Sequence, residues 1–139
     1  MKTYKFSMQK LVRDKVIDQI EEEGGVVEAY EIEDKIEFLD AITQKIVEEL
    51  EEVFSCKGKE DLIEELADLE EVFTTFKELV NVKQSEIDAA RAKKLKEKGG
   101  FENRIFLETM EVEKGSRLYK HCMANPNKYP EATDEDENE

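Results

Sequence analysis

Residues 34–54 read DKIEFLDAITQKIVEELEEVF, and residues 60–80 read EDLIEELADLEEVFTTFKELV. Both stretches repeat apolar side chains at i, i+3, i+4 and i+7, the spacing that gathers one face of an α-helix. Asp34 with Glu37 three residues on is a helix-start pattern, and Lys57-Gly58 closes the first stretch. So short a link between two long helices dictates an antiparallel hairpin. The expected fold is therefore mainly α, an antiparallel helical hairpin or bundle, with any sheet limited to short peripheral strands.

Working outward, Lys10 to Glu23 mixes Leu11, Val12, Val16, Ile17 and Ile20 with charges and stops at Gly24-Gly25, which predicts a short amphipathic helix. Val26 to Ile32 is short and β-prone, so a brief strand or an extended link is expected there. A further helix is predicted from Ser85, as its cap, to Lys98, ending at Gly99-Gly100. Arg104 to Val112 alternates enough to form a terminal strand that can pair with Val26 to Ile32. After Gly115 comes a short helical patch. These elements assemble into one domain over residues 1–130, followed by a disordered acidic tail over 131–139.

Composition bounds the function. The 139 residues hold 36 Asp and Glu against 21 Lys and Arg, a net charge of −15. A nucleic-acid polymer or an anionic membrane surface calls for a cationic footprint, so neither is an expected partner. The hydrophobic fraction of 39% is below the usual ~45–50%, so one modest domain is expected, completed by a partner chain. No apolar run approaches the ~18 residues of a membrane span and residues 1–10 lack a signal-like apolar block, which together predict a cytoplasmic protein. Cys56 and Cys122 cannot build a disulfide framework and are read as free thiols.

Acids on a solvent face carry no information; acids on the apolar face do. At about 100° per residue from Glu49, the residues Phe38, Leu39, Ile42, Ile46, Leu50 and Val53 fall between about −20° and +100°, so Glu49 lies within the apolar stripe. Glu52 flanks it at about −60°. From Glu65 on the next helix, Leu62, Leu66, Leu69, Val72, Phe73 and Phe76 fill about the same arc, and Asp68 again lands at about −60°. Packed stripe against stripe, Glu49 and Glu65 leave water together with Glu52 and Asp68 beside them. Four carboxylates in one small volume must take up protons or gather round a cation. Oxygen-only ligands indicate a hard divalent ion, Mg²⁺ or Mn²⁺. A di-iron centre of the ferritin type is excluded, since it wants Glu-x-x-His, and the single histidine, His121, is in the tail. The bland alternative pairs Glu49 and Glu65 with Lys45 or other basic groups as ordinary ion pairs.

Cations are clustered as well. Residues 1–20 and residues 83–104 each carry a net +3 in a chain that is otherwise acidic. Either island can grip phosphates, with Lys10, Arg13, Lys15, Lys94 and Lys98 as candidates; a solvated charged face is the competing reading.

Glu48-Glu49-Leu50-Glu51-Glu52, twelve residues, then Glu65-Leu66-Ala67-Asp68 fits Glu-Glu-x-x-Glu followed by Glu-x-x-Asp. In this the chain resembles the MazG-like all-alpha nucleoside triphosphate pyrophosphohydrolases. Lys10-Leu11-Val12-Arg13-Asp14-Lys15, Lys98-Gly99-Gly100-Phe101 with Arg104-Ile105-Phe106-Leu107, and Ala124 to Pro130 resemble the phosphoribosyl-ATP pyrophosphohydrolase-like branch, so the likeness spans about residues 8–131. It departs where Val16-Ile17-Asp18 follows Lys15 in place of the usual proline, a change expected to shift a helix start. The resemblance implies Glu49, Glu52, Glu65 and Asp68 as metal ligands, and Mg²⁺ as cofactor with Mn²⁺ as substitute. Glu48, at about −100°, either polarises the attacking water or faces solvent. The implied reaction is hydrolysis of a nucleoside triphosphate, or a relative such as phosphoribosyl-ATP, between the α- and β-phosphates, in the service of nucleotide-pool house-cleaning. Family sites are built from helices of two chains, which implies a homodimer or dimer of dimers. The alternative from another class is a non-catalytic acidic helical module that binds a protein partner.

Overall fold

A computed structural model of the chain describes residues 2–133. The expected acidic tail lies, from residue 134 on, outside the described residues. Among these, five helices form: α1 (Val16–Glu22), α2 (Lys35–Ser55), α3 (Lys59–Leu79), α4 (Gln84–Lys98) and α5 (Arg117–Ala124). The chain divides into two compact units, residues 1–93 and 94–139, with the division falling inside α4.

The first unit is organised by α2 and α3, each of 21 residues and so about 31 Å long. Asp34 caps α2 by accepting from the Glu37 backbone N–H at 3.0 Å. The Glu37 carboxylate does not return to the cap; it accepts from the Tyr30 hydroxyl at 2.6 Å, and that bond raises the Tyr30 pKa. Gly58 turns the chain between the helices at φ 93°, a backbone region open to glycine and strained for other residues. The two helices pack along one another as the hairpin the periodicity predicts. Ile42, on α2, is fully buried, while Phe38, Leu39, Ile46, Val53, Leu62, Leu69, Val72 and Phe76 are half-buried.

Three expectations need correction. The first helix begins at Val16, not Lys10, and Lys15 caps it without a side-chain bond. Residues 10–15 instead reach across to the hairpin through Lys10 and Arg13. Neither Val26–Ile32 nor Arg104–Val112 is a strand. A strand needs an apolar face to bury and a ladder to join, but Val26 is 98% exposed and Phe106 87%. Ser85 lies inside α4 rather than capping it; the Lys83 backbone N–H donates to the Glu86 carboxylate at 2.9 Å and closes that end.

The second unit contains α5, capped by Ser116, which accepts from the Tyr119 N–H at 3.1 Å. The His121 and Tyr129 rings pack at 5.4 Å. Cys56 and Cys122 are free thiols. No helix among the described residues is long and apolar enough to cross a membrane.

Candidate metal centre

Helical period places Glu49 on α2 and Glu65 on α3 toward the shared seam, and antiparallel packing brings them level. Glu49 is only 4% exposed, the one charged residue in the buried class among those described. Glu65 and Asp68 are half-buried. One carboxylate oxygen from each of Glu49, Glu65 and Asp68 lies within 4.8 Å of the other two. Oε2 of Glu49 and Oε2 of Glu65 are both enclosed without a hydrogen-bond partner. Buried polar atoms are nearly always satisfied, so two orphaned acceptors in one group of acids call for a proton or a cation.

Glu65 records the crowding. Its pKa is pushed from the usual 4.5 up to about 7, first by a hydrogen bond with Glu52, then by burial, then by the charges of Glu52, Asp68 and Glu49. Glu52 is exposed at the rim and stands outside the close triad. It belongs to the cluster through Glu65 rather than through shared geometry with all three.

The cluster already holds cations of its own. Lys45 Nζ is 3.2 Å from Oε1 of Glu49 and 3.3 Å from Oε2 of Glu48, with 16% of its side chain exposed. Burial alone would lower the Lys45 pKa, but the bonds and charges of Glu49 and Glu48 together raise it. Lys10 approaches Oε1 of Glu48 at 3.6 Å, and an Arg13 guanidinium N–H donates to Oδ1 of Asp68 at 2.7 Å. The Lys10 to Arg13 stretch thus touches α2 with one residue and α3 with the other. Glu48 sits half-buried between two lysines.

Of the predicted site residues, the structure gathers Glu48, Glu49, Glu52, Glu65, Asp68, Lys10 and Arg13 around one end of the hairpin seam. Lys15 is exposed at the start of α1. Lys94 and Lys98 are exposed on the last turns of α4, in the second unit. Lys45 pairs with Glu49 as the ordinary ion-pair alternative expects. Its signal was the Lys45/Glu49 spacing of four along a buried stripe.

The donor set suits a hard divalent cation: carboxylate oxygens only, from two rigid helices, with the two innermost unsatisfied. No protein-family model matches this chain, and no curated protein or solved structure matches it either.

Proposed function

We propose that this chain is a divalent-cation-dependent pyrophosphohydrolase that cleaves a nucleoside triphosphate, or a related nucleotide such as phosphoribosyl-ATP, between its α- and β-phosphates. The observation that carries the reading is the pair of enclosed, unpartnered oxygens on Glu49 and Glu65 beside Asp68. The resemblance to MazG-like enzymes supplies the reaction class. Mg²⁺ is the proposed ion, with Mn²⁺ able to replace it.

Glu49, Glu65 and Asp68 hold the ion, and Glu52 borders it through Glu65. Bound there, the ion supplies Lewis acidity toward phosphate oxygens and water. Glu48 is the proposed water-orienting group, its carboxylate fixed by Lys45 and Lys10. Lys10, Arg13 and Lys15 supply positive charge toward phosphates, which a chain of net charge −15 must concentrate locally to attract an anion. In-line hydrolysis of this kind needs positioning and charge stabilisation rather than a covalent nucleophile.

The hairpin also carries apolar surface that one chain leaves open: Val47 (50% exposed), Phe54 (85%) and Ile63 (56%) on its outer sides. A homodimer joining two hairpins into a four-helix arrangement would cover such surface. Nucleic-acid polymers and membranes are not proposed partners.

The test is a screen for pyrophosphate release over ordinary and damaged nucleoside triphosphates and phosphoribosyl-ATP, with Mg²⁺ and with EDTA. Metal-dependent turnover by the wild type, lost in Glu49→Gln with helix content retained, is the expected result. Turnover that survives Glu49→Gln would remove the mechanism. A module that only binds partners would release no pyrophosphate from any of them.

A further inference from the structure

Two of the ion pairs in the acid cluster are of unlike character. Lys45 and Glu49 are enclosed, with side chains 16% and 6% exposed. Arg13 and Asp68 are open, at 58% and 39%, and meet at 2.7 Å. Separating an enclosed pair strands a buried charge, whereas an exposed pair opens at little cost. Lys45 is therefore a permanent part of the cluster, and Arg13 is the cation that can leave.

Arg13 nevertheless holds Oδ1 of a carboxylate that an incoming ion would share, because Asp68 is one of the three residues whose oxygens converge, and its positive charge there opposes the arrival of a second cation. Its neighbour in the same stretch, Lys10, is anchored separately on Glu48 of α2 at 3.6 Å. Releasing Asp68 would leave the stretch tethered and its guanidinium at the edge of the centre. A guanidinium fork fits carboxylate and phosphate equally well.

We propose that Arg13 is an exchangeable counter-ion: a divalent cation takes Asp68 from it, and the freed guanidinium then binds a phosphoryl group presented at the same centre. The inference rests on the cation reading above and adds an order of binding, metal before anion. It makes the two ligands mutually reinforcing, each raising the affinity of the other by the same factor.

Isothermal titration of the full chain separates the possibilities, with Mg²⁺ alone as one probe and inorganic pyrophosphate, in excess Mg²⁺ or in EDTA, as the other. Wild type should bind pyrophosphate measurably only with Mg²⁺ present. Arg13→Gln should bind Mg²⁺ about two- to fivefold more tightly, since one exposed ion pair no longer competes. The same variant should bind pyrophosphate in Mg²⁺ about tenfold more weakly, having lost a charge-assisted donor. Arg13→Lys keeps the charge and loses the fork, so it should shift both constants the same way by less; it serves as the test if glutamine perturbs folding. Unchanged or weaker Mg²⁺ binding in both variants would mean that Arg13 braces Asp68 rather than yielding it, and would overturn the inference while leaving the cation centre intact. A wild type that binds no Mg²⁺ overturns the centre and the inference together.

Discussion

Replacing Lys45 with methionine keeps the length of the side chain and removes its charge. The ammonium lies 3.2 Å from Glu49 and 3.3 Å from Glu48. Glu48 has Lys10 as a second partner, but Lys45 is the cation at Glu49, whose other oxygen is unpartnered. Removing one member of a buried pair commonly costs about 3–5 kcal/mol, because the surviving charge is stranded. Lys45 keeps 16% of its side chain in water, which brings the expected loss for Lys45→Met below that range, to about 2–3 kcal/mol. With a urea slope of about 1.5 kcal/mol/M for a chain of this size, the midpoint should fall by about 1.3–2 M. The assay is urea unfolding in EDTA at pH 7, followed by circular dichroism, at one protein concentration throughout because assembly would shift the midpoint. Lys10→Met is the control: its pair is longer, at 3.6 Å, and more exposed, so less than about 1 kcal/mol is expected. A Lys45→Met midpoint within about 0.3 M of the control would show that Glu49 does not depend on this lysine, and the electrostatic account of the cluster would fail.

Other consequences can be measured alongside. Mg²⁺ at about ten times its dissociation constant should raise the wild-type melting temperature by about 3–6 °C, and Glu49→Gln should lose most of that rise. Glu65 has a folded pKa of about 7 against an ordinary 4.5, so it favours the native state fully below about pH 4.5 and loses that contribution as pH rises through 7. The melting temperature in EDTA should therefore fall more between pH 5 and pH 8 for wild type than for Glu65→Gln; an equal fall in both would contradict the raised value. Because the hydrogen bond with Glu52 is the leading cause of that shift, Glu52→Gln should lower the Glu65 carboxyl titration seen by ¹³C NMR, and an unmoved midpoint would reject the contact. Phe54→Asp with Ile63→Asp, at side chains 85% and 56% exposed, should reduce the mass found by sedimentation to that of one chain without loss of helix; an unchanged mass would place any self-association elsewhere.

The hairpin and its acidic seam were legible because both follow from local period. Asp34 caps α2 through Glu37 as the spacing predicts, and Gly58 turns the chain. Glu49 fell in the apolar stripe by angle alone and is buried. The edges of that stripe behaved differently. Leu50, Leu66 and Phe73 share the predicted arc, yet they are 38%, 42% and 41% exposed, since one neighbouring helix covers only part of an arc so wide. Val26–Ile32 and Arg104–Val112 had strand composition without a partner to pair with, and composition cannot supply one. The start of α1 was misplaced because Leu11 and Val12 continue the helical spacing while the residues around them are drawn to the hairpin.

Sequence alone determined two amphipathic helices, the turn between them, and the acids that must face inward, because each depends on residues a few positions apart and on the fixed 3.6-residue period. Tertiary structure decided which charges meet. Arg13 finds Asp68 across 55 residues, and Lys10 finds Glu48 on α2. Such pairings depend on where separate elements come to rest, and Coulomb attraction between side chains leaves no spacing rule in the chain from which to read them.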